Sequence, residues 1–370
     1  MKDRRVAFLF LGETLLIPHL FPIVEALARE PGIAIDLWVA TSVHEALLTG
    51  WTAPLAHPGL RIRRAPGFRR IPGDGDGRNP PLPAKLPLLA RLAPHLARVP
   101  VVVCAEQTSL WIPAVLPLRT RFIDTFHGAG SMRAKGHWRR RAAWRTLVSS
   151  EQERTALIAT GDAPSRIAVT GYIKAAFHQR TPAASLFPEA RPVVLYTPHW
   201  QRHRSSWWAW GPEVVRRLAA DPTINLIFAP HQRLSERADD VRTVAASVAD
   251  LPNVHCDLDS FAMVDGSYTA AADIYLGDTS SQVVEFIARP RPCVFLNPLH
   301  VAWQDDASYA QWHAGEVVEE LDRLLPAIAA AGANHRQHVA FQRDFADKAL
   351  GDTGGAAPAN AVRHILAALD

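Results

Sequence analysis

Short apolar runs alternate with helical patterns along most of this chain, and no other feature narrows its fold as much. Residues 6–11, 33–40, 99–104, 121–126, 147–149 and 166–171 read as a first group of buried strands, with 60–64 as a further candidate. Residues 193–196, 225–229, 254–256, 274–276 and 294–296 read as a second group. Strands that are apolar throughout are covered on both faces, and intervening helices supply that cover. The pattern therefore predicts an α/β chain with parallel sheets and crossover helices in both halves. Residues 15–29, 42–48, 317–331 and 361–369 carry helical periodicity, whereas 66–83, rich in Gly, Pro and charge, reads as a loop.

A length of 370 residues suits two domains, each with its own core. Pro, Ala and Ser crowd 183–192, which places the linker there. The expected division is 1–182, 191–355 and a C-terminal helix, 356–370, packing back. Two doubly wound, Rossmann-like domains facing a cleft is the simplest architecture, with ligands at the carboxyl ends of the strands. The start of the chain reads as a first buried strand, and no apolar run reaches the length of a membrane span. Cys104, Cys256 and Cys293 lie far apart in strand-like runs, as reduced core thiols of a cytoplasmic protein do. The net charge of +4 is small, although a pI near 9.1 leans towards anionic partners.

Four polar clusters follow predicted strands. His127 and Gly128 close the strand 121–126, where an imidazole could take a proton from an attacking hydroxyl. His199, Arg202, His203 and Arg204 come directly after 193–196, interleaved with tryptophans, and suit a phosphate. His231 and Arg233 follow 225–229 in the same way. The stretch 272–297 reads strand, tight polar turn, helix, strand. Its turn sets Asp278, Thr279, Ser280 and Ser281 where the helix begins, either as an ordinary cap or as a phosphate seat. A single Ser/Thr cap needs no cationic loops on neighbouring strand ends, whereas a pyrophosphate does. Glu106, after 99–104, is a candidate for orienting a histidine. Gly12, Glu13 and Thr14 form a strand-to-helix turn that could also touch substrate. No metal-ligand spacing is found and no cofactor is expected. One basic loop does not make a nucleic-acid surface. Residues 132–147, with six Lys and Arg and two Trp, read as a basic helix, either solvated or lying on anionic lipid.

Taken in order, these motifs resemble the CDP-glycerol glycerophosphotransferase family, the teichoic-acid-type polymerases and primases of GT-B fold. The resemblance rests on His127-Gly128 with Lys135-Gly136, on Gly171-Tyr172-Ile173-Lys174, on 196–202 and on 229–232. It rests above all on 272–281 with Glu285 and Arg291-Pro292. The chain departs from the pattern at Lys174, His199, Gln232 and Thr279. The resemblance implies transfer of a polyol phosphate from a CDP-linked donor to a hydroxyl on a glycan or lipid-linked acceptor in cell-surface glycopolymer synthesis. It makes the first domain the acceptor side, with His127 as general base and Gly128 and Lys135 nearby. It makes the second the donor side, with His199, Arg202, His231, Arg233, Thr279, Ser280 and Ser281 towards phosphate. Asp278 would orient the turn or meet a donor hydroxyl, and Glu285 would face the ribose. The setting it implies is cytoplasmic, peripheral on the inner face of the membrane. The main alternative is a GT-B glycosyltransferase using a nucleotide sugar, or a sugar epimerase of similar architecture. A non-catalytic nucleotide- or membrane-binding module is the third reading.

Overall fold

The computed structural model describes residues 4–73, 78–127, 137–181 and 186–370. Two compact units divide them: the first takes the described residues up to 127, 137–179 and 348–370, and the second those of 180–347. Gly128 and Lys135 lie outside the described residues.

In the first unit, the order is β1 (Arg5–Phe10), α1 (Phe21–Leu27), β2 (Ala34–Thr41), α2 (Ser42–Thr52), β3 (Leu60–Arg69), α3 (Lys85–Leu96) and β4 (Val101–Cys104). It continues through α4 (Trp111–Val115), β5 (Arg121–Thr125), β6 (Arg145–Val148), α5 (Glu151–Ala159) and β7 (Ile167–Val169). These seven strands form one sheet in the order β3-β2-β1-β4-β5-β6-β7, paired in parallel throughout. Phe8 lies between Leu37 and Val103 in register, and all three are fully buried.

The second unit runs β8 (Val193–Thr197), α6 (Trp207–Ala220), β9 (Asn225–Phe228), α7 (Asp240–Val248), β10 (Val254–Cys256), α8 (Ser267–Ala271) and β11 (Ile274–Gly277). Then come α9 (Ser281–Ile287), β12 (Cys293–Leu296), β13 (Glu316–Val318) and α10 (Leu324–Asn334). Its parallel sheet has the order β10-β9-β8-β11-β12-β13. Helix α11 (Val339–Leu350) leads the chain back to the first unit, where α12 (Ala357–Leu369) packs on α1. The architecture is the expected one: an α/β, GT-B-type chain of two doubly wound, Rossmann-like units. Both sheets reverse direction beside their first strand, at β1/β4 and at β8/β11, and such switch points open a crevice at the carboxyl ends of the strands.

Four local expectations change. Pro18 sits in a 3-10 turn, Thr14–His19, so the helix expected over 15–29 starts only at Phe21. Strand β3 runs on to Arg69, because its pairing with β2 resumes after a register shift beyond Val39. Residues 316–318 are an edge strand on β12, which splits the helix expected from 317. Residues 145–148 are strand β6, preceded by a 3-10 turn at Arg140–Ala142, so the described part of 132–147 is no helix. Its arginines have partners within the unit, and Arg140 alone of them is buried. Arg140 pairs with buried Asp124 at 3.3 Å, and Arg141 and Arg145 donate to the carbonyls of Thr160 and Ser165. Among the described residues no helix is long and apolar enough to cross a membrane. All three cysteines are free thiols.

Arg291, part of the Arg-Pro pair in the motif sequence, has a structural task. Its guanidinium donates to the carbonyls of Thr269, Ala272 and Phe286 at 2.7–2.9 Å and lies 3.7 Å from the Phe286 ring centre. It thereby satisfies the carbonyl ends of α8 and α9. Fully buried Gln342 holds the backbone N–H and C=O of Arg291 and the carbonyl of Ala314. Arg291→Met should lower stability by about 2–4 kcal/mol, since three acceptors lose a charged donor. Urea unfolding monitored by circular dichroism checks this, and an unchanged midpoint refutes the assignment.

Candidate functional site

The second unit gathers its polar strand ends at the β8/β11 switch point. After Thr197 the chain leaves β8 through Pro198, His199, Trp200 and the short 3-10 turn Arg202–Arg204. After β9 it passes His231, whose backbone N–H donates to the Pro198 carbonyl at 3.1 Å and joins the two loops. The His199 and His231 rings meet edge to face at 5.8 Å, and Trp200 stacks on His199 and tilts against His231. The guanidinium carbons of Arg233 and Arg237 lie 5.2 and 4.5 Å from the Trp200 ring centre, and that of Arg202 lies 6.0 Å from Trp208. Trp200 is thus a shelf for two arginines of the segment after β9, and Trp208 for Arg202 of the basic loop itself.

Asp278, directly after β11, ties the crevice together. Its carboxylate accepts the backbone N–H of His199 at 2.8 Å and that of Ser206 at 3.0 and 3.1 Å. With 1% exposure, Asp278 belongs to the loop frame. Its neighbour Gly277, paired with Thr197 of the parallel strand β8, has φ 156, and a Cβ there would stand 3.0 Å from the Thr197 carbonyl, a tight fit at the point where β8 and β11 end. The Thr279 and Gln232 side chains are buried, and among the described residues their polar atoms have no hydrogen-bond partner. Ser280 caps α9, its hydroxyl accepting from the Gln282 N–H, while its own N–H is held by Gln311. Ser281 and Glu285, both partly exposed, are one helical turn apart on α9.

Burial dominates the electrostatics. It pushes His231 down to about 3, helped by His199 and Arg233, and His199 down to about 4, helped by Arg204 and His203. Both imidazoles are therefore neutral at pH 7, each able to donate one N–H, while the arginines carry the positive charge. Burial also raises Asp278 to about 7, against the opposing pull of the His199 and Ser206 N–H groups. Tyr309 lies within the field of Arg204 and Asp278, and the sequence offered no sign of it.

In the first unit the corresponding cluster forms around His127, at the end of β5. Its ring bonds the Ala105 backbone, and burial lowers its pKa against the favourable field of Asp124. His19 lies 6.1 Å from it, ring to ring, and 5.8 Å from Tyr172. Burial, Lys174 and His127 together hold His19 well below the usual histidine range. The Tyr172–Lys174 motif thus converges on His127 through His19, a residue the helical reading of 15–29 concealed. Glu106 has a different partner from the one expected. It pairs with Lys85 at 2.5 Å, and Lys85 also donates to the Leu11 carbonyl, so Glu106 braces the turn after β1 and leaves His127 to the Ala105 backbone. A Cβ on Gly12 would fall 2.0 Å from a Glu106 oxygen, so a larger residue in that turn would displace the Glu106 carboxylate from its present position. Buried His44 completes it, bonding the Gly12 carbonyl and the Thr41 hydroxyl, each at 2.8 Å. Among the described residues no three His, Cys, Asp or Glu side chains gather as metal ligands.

Solved structures of the same fold cover the chain from end to end. UDP-GlcNAc 2-epimerase from Neisseria meningitidis, bound to UDP-GlcNAc, aligns with a TM-score of 0.64 and 13% identity, over 98% of this chain and 100% of its own. HepE from Anabaena, in complex with UDP-glucose, gives 0.54 and 16% identity over 97% and 99%. Sucrose-phosphate synthase from Thermosynechococcus elongatus gives 0.53 and 16% over 99% and 100%. At such identities the likeness is one of fold. No family model and no curated protein sequence matches the chain, so the glycerophosphotransferase resemblance rests on motif order alone.

The Asp278 geometry has a pH signature. A carboxyl whose folded pKa lies above its unfolded value of about 3.9 adds stability below that value and loses it as pH rises through the folded pKa. Wild type should therefore gain on Asp278→Asn as pH falls from 7 towards 4, by at most about 1.4 kcal/mol per pH unit. Paired denaturation curves across that range test it, and a constant gap between the two proteins refutes it.

Proposed function

We propose that the protein is an enzyme acting on a nucleoside-diphosphate-linked substrate, used as a glycosyl donor. The observation that carries this reading is the meeting of His199, His231 and the Trp-supported arginines at the β8/β11 switch point, on a frame pinned by Asp278. Two neutral N–H donors beside several guanidinium groups suit a diphosphate, whose charge grows as it departs. Ser280, Ser281 and the backbone of the turn are proposed to meet the same phosphates, and Glu285, one turn along α9, the ribose. Support also comes from the structural relatives described with UDP-GlcNAc and UDP-glucose.

In the proposed reaction an acceptor hydroxyl attacks the anomeric carbon, the bond from that carbon to the diphosphate oxygen breaks, and the nucleoside diphosphate leaves. The hydroxyl proton passes to His127, which burial keeps neutral and hence able to accept it. His19, Tyr172 and Lys174 would hold that imidazole in place. A second reading, transfer of a polyol phosphate from a CDP-linked donor with loss of CMP, is favoured by the motif order from His127 to Pro292.

A donor screen separates the two. Release of UDP from UDP-GlcNAc or UDP-glucose is expected, and release of CMP from CDP-glycerol or CDP-ribitol would establish the second reading instead. Failure of calorimetry to detect any nucleoside diphosphate would dispose of both. His231→Ala should weaken UDP binding about tenfold, the loss of one hydrogen bond to a charged group. His127→Ala should cut turnover at least about a hundredfold with UDP affinity unchanged, and turnover near the wild-type rate removes His127 from its role.

A further inference from the structure

We infer that the outer face of α3 and α4 in the first unit, together with Trp138, is a docking surface for an anionic lipid membrane. Six large apolar side chains stand exposed among the described residues, and four belong to this face: Leu86 at 60%, Val115 at 59%, Trp138 at 52% and Leu116 at 39%. The segments that carry them touch one another. Helix α3 packs on α4, α4 packs on the 140–142 turn, and the Trp138 ring stands edge-on to Trp111 at 5.1 Å. Helix α3 is apolar on both sides. Leu88, Leu89, Leu92 and Leu96 fill the core, yet Leu86, Pro87, Ala90 and Pro94 face out beside Arg91. A helix whose only neighbours were core and water would carry a polar outer face.

Charge identifies the occupant. From Lys85 to Ser150 there are eleven Lys and Arg and two acids, so this window holds +9 in a chain whose net charge is +4. Both acids are turned inward and matched, Glu106 by Lys85 and Asp124 by Arg140. The exposed arginines of the window outside 132–147, Arg91, Arg98 and Arg119, therefore have no acidic counterpart from the same segment. Exposed aliphatics on a segment rich in arginine and poor in acids match the boundary of an anionic bilayer, where side chains such as Leu and Trp enter the acyl region and guanidinium groups stay at the headgroups. A second copy of this chain would set the same positive face against itself. Nucleic acid would use stacking aromatics, and here three of the four exposed apolar groups are aliphatic. Of the stretch 132–147, read from the sequence as either solvated or lying on anionic lipid, Trp138 joins this face, whereas Arg140 is buried against Asp124.

The test is co-sedimentation of the full chain with vesicles of phosphatidylglycerol and phosphatidylcholine, against vesicles of phosphatidylcholine alone. Partitioning is expected only with the anionic vesicles, and it should weaken as salt is raised. The triple variant Leu86→Ser, Val115→Ser, Leu116→Ser should lose at least about tenfold in partition coefficient, and so should Arg91→Glu with Arg119→Glu. Thermal unfolding of each variant verifies that it is folded. Equal binding to both vesicle types, undiminished binding by both folded variants, or a dimer in solution that the triple variant dissociates would overturn the inference. Nucleotide binding is a separate measurement, so either reading can fail while the other stands.

Discussion

The second unit depends on a buried carboxylate that works on backbone. Asp278 reaches from the end of β11 to two N–H groups of the loop leaving β8, across the line where the sheet changes direction. Loops beyond such a line diverge, and each would otherwise set its own course. The bond from His231 to Pro198 adds the loop after β9 to the same frame. Three strand ends are therefore held at fixed spacing by the fold itself, and most of the ordering of the basic loop is done during folding.

The first unit solves the same problem with different chemistry. Lys85 and Glu106 brace the turn after β1 from α3 and β4, and His44 grips it from α2. Burial keeps His19, His44 and His127 neutral, so the polar groups at this edge are locked as dipoles, with little free charge. The two units thus differ in character at equivalent places in the fold. The first presents imidazole nitrogen, suited to protons, and the second adds arginine, suited to anions.

Most of the framework was readable in the sequence, because strands covered on both faces are written as continuous apolar runs. The failures have physical causes. The edge strand at 316–318 is three residues long and abuts a helix whose periodicity absorbs it. The helix expected from residue 15 was broken by Pro18, and with it went the view of His19 as a residue facing His127. Basic residues at 139–145 looked like a solvated helix, since ion pairing to Asp124 and bonds to distant carbonyls leave no local trace. Arg291 and Gln342 show the converse. A motif position can be kept polar by the carbonyl ends of two helices and by nothing that binds. Which residues surround the switch point was legible, and of the two tasks the resemblance left open for Asp278, orienting the turn is the one its bonds to the His199 and Ser206 backbone match.

Helix α11 returns the chain to the first unit, so the second is in effect an insertion within the first. On a ribosome this fixes an order of events. All six strands of the second sheet emerge while the first unit still lacks α12, the helix that covers α1. The apolar face of α1 must wait through the synthesis of an entire neighbouring unit, and that interval is when the nascent chain is most exposed to aggregation and to chaperones.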